Sequence, residues 1–127
     1  MRVLGIDYGT KRIGLAVADT EAASLAVPRG DLPRNGALAV LAAFCRQERI
    51  GHIIIGLPMT LRGEEGDMAQ TVRSFGKALT EAAGVPVDFV DERLTTAALP
   101  KEGVVSRDAA SAASILQTWL DRQRGKP

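Results

Sequence analysis

The sequence predicts an α/β fold: a five-stranded mixed sheet, made of an antiparallel three-strand meander and two parallel strands, with helices on both faces. Three observations carry this. Two short apolar runs, residues 3–6 and 13–18, are joined by a tight polar loop, as in a hairpin. Apolar residues then recur at helical spacing in three separate segments. Between those segments lie "HIIIGLP" and "VPVDFV", continuous apolar stretches of the kind that form strands buried on both faces.

In chain order, the first strand (residues 3–6) ends in Asp7. Gly9, in the loop Tyr8-Gly9-Thr10-Lys11-Arg12, is free to take a positive φ, and residues 13–18 return as the second strand. A third strand is expected over residues 22–27, stopped by Pro28, with a Gly/Pro/Asn loop over 29–35. Leu38, Leu41, Ala42 and Cys45 share one helical face, so residues 36–49 read as a helix with Asn35 as its cap. "HIIIGLP" follows as a strand, and residues 59–66 as a loop. Met68, Val72, Phe75 and Leu79 mark a second helix that Gly84 ends. After the strand "VPVDFVDER" come a short helix over residues 95–99 and a loop to Ser106. The last helix covers residues 107–122, with Ala112, Ile115, Leu116 and Trp119 inward. Helical crossovers make the two later strands parallel. With the first strand beside them, all three C-terminal ends share one edge, where open α/β sheets bind ligands.

At 127 residues the chain is expected to be one domain, residues 1–127. Its 46% apolar content with only 4% aromatics implies an aliphatic core. Sixteen basic against 15 acidic residues leave a net charge of +1, so any nucleic-acid footprint must be local rather than global. The single Cys45 cannot form an internal disulfide, in keeping with a reducing cytosol. Asp7, Lys11 and Arg12 interrupt any signal-peptide core, and no apolar stretch approaches the ~20 residues of a membrane helix. A cytoplasmic protein without membrane contact is expected.

The acids fall in a pattern. Asp7 ends the first strand, Asp91 and Glu92 end the last, and Asp108 opens the final helix. Clustered carboxylates repel one another unless a cation is present. Hard divalent ions take such oxygen ligands, and two of them about 4 Å apart can activate water and stabilise a leaving oxygen in phosphodiester cleavage. A plainer account also fits. An Asp after a strand often forms a turn, Asp108 suits a helix dipole with Ser106 as cap, and Asp91 and Glu92 alternate faces.

Together "GIDYGTKRIGLAVAD", "IIIGLPMTLRGEEG", "VDERLTT" and "DAASAASILQTWL" resemble the YqgF/RuvX family along nearly the whole chain. Its members are Holliday-junction-resolvase-like proteins of the ribonuclease H fold, associated with pre-16S rRNA processing. The resemblance implies that Asp7, Glu92 and Asp108 are catalytic metal ligands for Mg²⁺ or Mn²⁺, with Asp91 the neighbouring candidate for the second position. It implies a nucleic-acid partner: structured RNA first, four-way DNA junctions as the close variant. A symmetric cut of a two-fold junction calls for a homodimer. The segment before Asp108 carries only Lys101 and Arg107 as bases, fewer than the family commonly has there.

Lys11, Arg12, Arg62, Arg93 and Lys101 are the candidate phosphate-binding residues around the acids. His52 begins a strand far from the acid edge, which argues against a His-based or zinc site. Two rivals remain at this level. "GIDYGT" also resembles the phosphate hairpin of sugar kinases and actin-like ATPases, but those need a second domain. A non-catalytic RNA-binding assembly module is the other, and it gives no reason for the acids.

Overall fold

The structure is a computed structural model, and it describes residues 1–21, 25–94 and 106–124. Five strands are present: β1 (Arg2–Tyr8), β2 (Arg12–Asp19), β3 (Val27–Pro33), β4 (Ile50–Leu57) and β5 (Val87–Asp91). They form one sheet in the order β3-β2-β1-β4-β5. β1–β2 and β2–β3 are antiparallel, whereas β1–β4 and β4–β5 are parallel. The expected mixed sheet is therefore present, with β1 at its centre.

The pleat sorts the sheet into two unlike faces. Leu4, Ile6, Ile13, Leu15, Val17, Ile53 and Ile55 point to one side, where α1 (Ala37–Gln47) and α2 (Asp67–Ala83) cover them with Leu41, Cys45, Val72 and Leu79. The other side bears smaller residues: Val3, Gly5, Gly14, Ala16, Ala18, Ile54 and Gly56. Among the described residues a single helix, α3 (Arg107–Arg124), lies on it through Ala112, Ile115, Leu116 and Leu120. The small residues permit this close approach. A Cβ on Gly5 would stand 2.6 Å from the Leu116 Cβ, and one on Gly56 2.5 Å from the Ile115 Cδ1.

Two sequence expectations are corrected, the place of the third strand and the cap of α1. The third strand is Val27–Pro33, so it begins where the sequence reading ended it and occupies the expected loop. Proline stops a central strand because it has no N–H for the ladder, but β3 is an edge strand and tolerates Pro28 and Pro33. Gly30, at φ 101°, accompanies the register shift that bends this edge. Asn35 does not cap α1: Gly36 holds the cap position at φ 79°, and no side chain bonds there. The short helix expected over residues 95–99, the loop residues 101–105 and Lys101 lie outside the described residues.

Candidate active site

The C-terminal ends of β1, β4 and β5 meet at one edge, as parallel strands require. Register decides which acids share a face. Asp7 pairs with Gly14, whose missing side chain opens onto the backbone carbonyl of Asp108 in the first turn of α3. Asp7 therefore faces α3. Asp91 pairs with Leu57, which belongs to the opposite face. The chain then turns through a 3-10 segment, Glu92–Leu94, which swings Glu92 back to the Asp7 side. A Cβ on Gly56 would meet Glu92 Oε1 at 2.8 Å, so this glycine makes room for the carboxylate.

Asp7 and Glu92 are hydrogen-bonded to each other. Two carboxyl groups can do this only with a proton between them. Burial, then the charge of Asp7, then the hydrogen bond itself push Glu92 up to about 7. Burial raises Asp7 as well, followed by the charge of Asp108, while the bond from Glu92 works the other way. Asp108 is thus near enough to act on Asp7 electrostatically. Among the described residues, however, no three Asp, Glu, His or Cys side chains close around a common point as a metal cage. The structure brings Asp7 and Glu92 into contact and leaves Asp108 beside them.

Asp91 is not part of this pair. Its carboxylate receives the Arg93 guanidinium, with Nη2 at 2.7 Å, and the Arg93 backbone N–H at 2.9 Å. Those bonds hold Asp91 below the usual carboxylate range. Of the two candidates for the second position, Asp91 thus lies on the face away from Asp7, with Arg93 as its partner.

The basic residues divide into two kinds. Arg12 is bound by Asp31, with Nε and Nη2 at 2.7 and 2.6 Å from Oδ1, and Arg93 is bound by Asp91. Lys11 and Arg62 are exposed and make no ion pair among the described residues. Arg93 also lies against the loop that follows β4, its Nη1 3.2 Å from where a Gly63 Cβ would be. Arg73 is turned away, chelated by Glu65 and stacked over Phe89. His52 sits at the other end of β4 with Asp88 and Trp119, a structural position as its place in the sequence suggests.

The sequence reading missed two residues at this edge. Arg34 donates from Nε to the Tyr8 hydroxyl at 2.8 Å and from Nη1 to the Thr10 carbonyl, which braces the hairpin that carries Lys11. Asp31, assigned to a loop, is a strand residue beside Gly14. No periodicity marks either residue, and only the pairing of β3 with β2 reveals them.

The fold is shared with solved structures. RuvC of Thermus thermophilus in complex with Holliday junction substrate matches with a TM-score of 0.68 at 21% identity, covering 98% of this chain and 97% of that one. A second Thermus thermophilus RuvC structure matches with a TM-score of 0.64 at 18% identity, again over 98% and 97% of the two chains. The family match and the relatives' names place the protein among nucleases, which hydrolyse phosphodiester bonds. Within that class, the family model RuvX, described as Holliday junction resolvase, matches residues 1–122, and the chain belongs to this family. Relatives carrying the name "Putative pre-16S rRNA nuclease" include one from Anaeromyxobacter sp. (strain Fw109-5), 42% identical over 95% of this chain and 97% of its own length. Those of Myxococcus xanthus and Chloroflexus aurantiacus are 38% and 33% identical, each over 98% of this chain and 90% of the relative.

Proposed function

We propose that this protein is a cytoplasmic, divalent-metal-dependent endonuclease that processes the 5′ end of pre-16S rRNA, with residues 1–127 forming the one domain that carries the site. The observation behind this reading is the meeting of the Asp7 and Glu92 carboxyl groups at the strand-end edge, where Gly56 leaves room for Glu92. Two half-buried carboxylates with no cation between them retain a proton, and a hard cation such as Mg²⁺ or Mn²⁺ takes its place. The donor set of Asp7 and Glu92, with Asp108 alongside, fits such an ion. When bound, the ion supplies a polarised scissile phosphate and a water of lowered pKa.

The chain's own residues do the rest. Asp7 and Glu92 are held by strand ends on a rigid sheet, so their carboxylates stay aimed at the substrate phosphate. Lys11 and Arg62 attract the nucleic-acid backbone, and Arg12 and Arg93, kept in place by their aspartates, orient the phosphates next to the cut. The names of the relatives support RNA as the substrate.

The test is a cleavage assay on a pre-16S rRNA 5′ fragment and a four-way DNA junction, side by side, with Mg²⁺, Mn²⁺ or chelator. Metal-dependent cutting of the RNA is the expected result. Metal-dependent cutting of the junction alone moves the substrate to DNA. Binding without cutting under every condition replaces the enzyme with a non-catalytic RNA-binding factor.

A further inference from the structure

We propose that Arg46 and Arg49, at the end of the sheet away from the acids, form a second contact point for the nucleic-acid backbone and hold the duplex that flanks the cut. This rests on the nuclease reading above.

The backbone of Arg49 points there. Among the described residues it is the only one besides glycines with a positive φ, at 54°. A side chain makes that conformation costly, and glycine takes it freely. α2 ends in the ordinary way, with Gly84 at φ 69°. α1 instead ends on Glu48 and then Arg49, whose N–H reaches the Arg46 carbonyl at 3.3 Å. A cation in the last turn suits the helix dipole, which is reason enough for Arg46. It is not reason enough for Arg49, where glycine would close the helix without strain. The strained arginine calls for a task outside the fold.

The surrounding charges say what that task is. Arg46 and Arg49 are both exposed. The acids at this end of the sheet are already taken. Glu48 Oε1 receives Arg2 Nη2 at 3.1 Å and Arg29 Nη1 at 2.9 Å. Asp19 and Glu21 face the terminal amine, and Asp88 takes His52. α1 itself, Ala37–Gln47, bears no acid. Arg46 and Arg49 therefore stand without an ion pair among the described residues, and Arg2 and Arg29 lie beside them on Glu48. In a chain of net charge +1 this is a local excess of positive charge, the kind that binds a phosphate backbone.

Arg49 directly precedes β4, and the far part of that strand carries Gly56 against Glu92. At about 3.3 Å per residue, the strand puts Arg49 about 20 Å from the acid pair. A substrate confined to the acid edge meets Lys11 and Arg62 there. Only one that continues for about 20 Å, roughly six base pairs of duplex, reaches Arg49.

The experiment measures binding of the full chain, in chelator, to two pre-16S rRNA 5′ fragments, with about four or about sixteen base pairs of duplex on each side of the cleavage position. Wild type should bind the long fragment about tenfold more tightly than the short one. R46A/R49G should remove that gain and lower the slope of log K against log salt on the long fragment by roughly one to two, leaving the short fragment within about twofold. R49K keeps the charge and should stay within about threefold of wild type on the long fragment. R49G alone should unfold in urea at or above the wild-type midpoint, because glycine relieves the backbone, and still lose affinity for the long fragment. A clearly lower midpoint would make Arg49 a residue of the fold and overturn the proposal. Equal wild-type affinity for both lengths, or an equal loss from R46A/R49G on both, would overturn it and leave the nuclease reading standing. Failure of wild type to bind either fragment would overturn that reading and the proposal with it.

Discussion

Gly14 and Asp108 meet backbone to backbone: the carbonyl of the helix residue occupies the space where a side chain on the strand residue would begin. This contact sets the height of α3 above the sheet at the acid edge. Gly14→Ala should destabilise the protein by about 2 kcal/mol or more, since the obstructing atoms are main chain and cannot rotate away. The roughly 0.5–1 kcal/mol that alanine gains over glycine in the unfolded chain does not offset that. Urea unfolding measures it, and a midpoint equal to wild type would rule out the contact.

The Asp7–Glu92 pair makes stability depend on pH in the metal-free protein. Glu92 is raised from 4.5 to about 7, so the folded state holds a proton that the unfolded state releases earlier. Its contribution is complete below the ordinary Glu value and is lost as pH rises through about 7. Glu92→Gln should abolish this decline. The difference between the two proteins across the window should be about 1–2 kcal/mol, the shift being discounted for the water that still reaches the pair. Urea midpoints in chelator, taken at intervals between pH 5 and 8, are the measurement. Parallel curves for wild type and variant would count against a shared proton.

Asp7 and Asp91 lie on opposite faces, so isosteric changes at the two should separate sharply. Asp7→Asn should reduce metal-dependent cleavage at least about a hundredfold while binding persists, the scale of losing a charge aimed at the reacting centre. Asp91→Asn should alter kcat less than threefold and leave the urea midpoint close to wild type, as an exposed ion pair permits. Single-turnover cleavage and gel-shift binding on both variants decide it, and equal loss in the two would reverse the assignment.

Lys11 and Arg62 should dominate the salt dependence of nucleic-acid binding, because Arg12 and Arg93 are already neutralised by aspartates. The K11A/R62A double substitution should lower the slope of log K against log salt by roughly one to two, whereas R12A alone should change it less. Fluorescence anisotropy at several salt concentrations reads this directly. A slope untouched by the double change would place the phosphate track elsewhere.

The hairpin, the central place of β1 and the acid edge were legible because apolar patterning and strand-end position report on burial. The location of β3 was not. Pro28 reads as a stop under a rule that holds for central strands, and nothing local shows that this strand is an edge. The choice between Asp91 and Glu92 was likewise hidden: strand alternation allows either face, and only the register of Asp91 with Leu57 and the 3-10 turn after it settle which side each takes. Asp31 and Gly14 lie far apart in the sequence, and only the pairing of β3 with β2 joins them.

Among the described residues, one face of the sheet is covered by α3 alone, the last of the elements in chain order. During synthesis β1 to β5 can pair, and α1 and α2 can bury their side, before Arg107–Arg124 has left the ribosome. Until it does, Val3, Ala16, Ala18, Ile54 and Val90 remain a bare apolar surface on a nearly finished sheet. Such a surface is where a growing chain associates with others or is met by a chaperone. The closing event of folding is also the one that brings Asp108 to Asp7, so the acid cluster is complete only once α3 has docked.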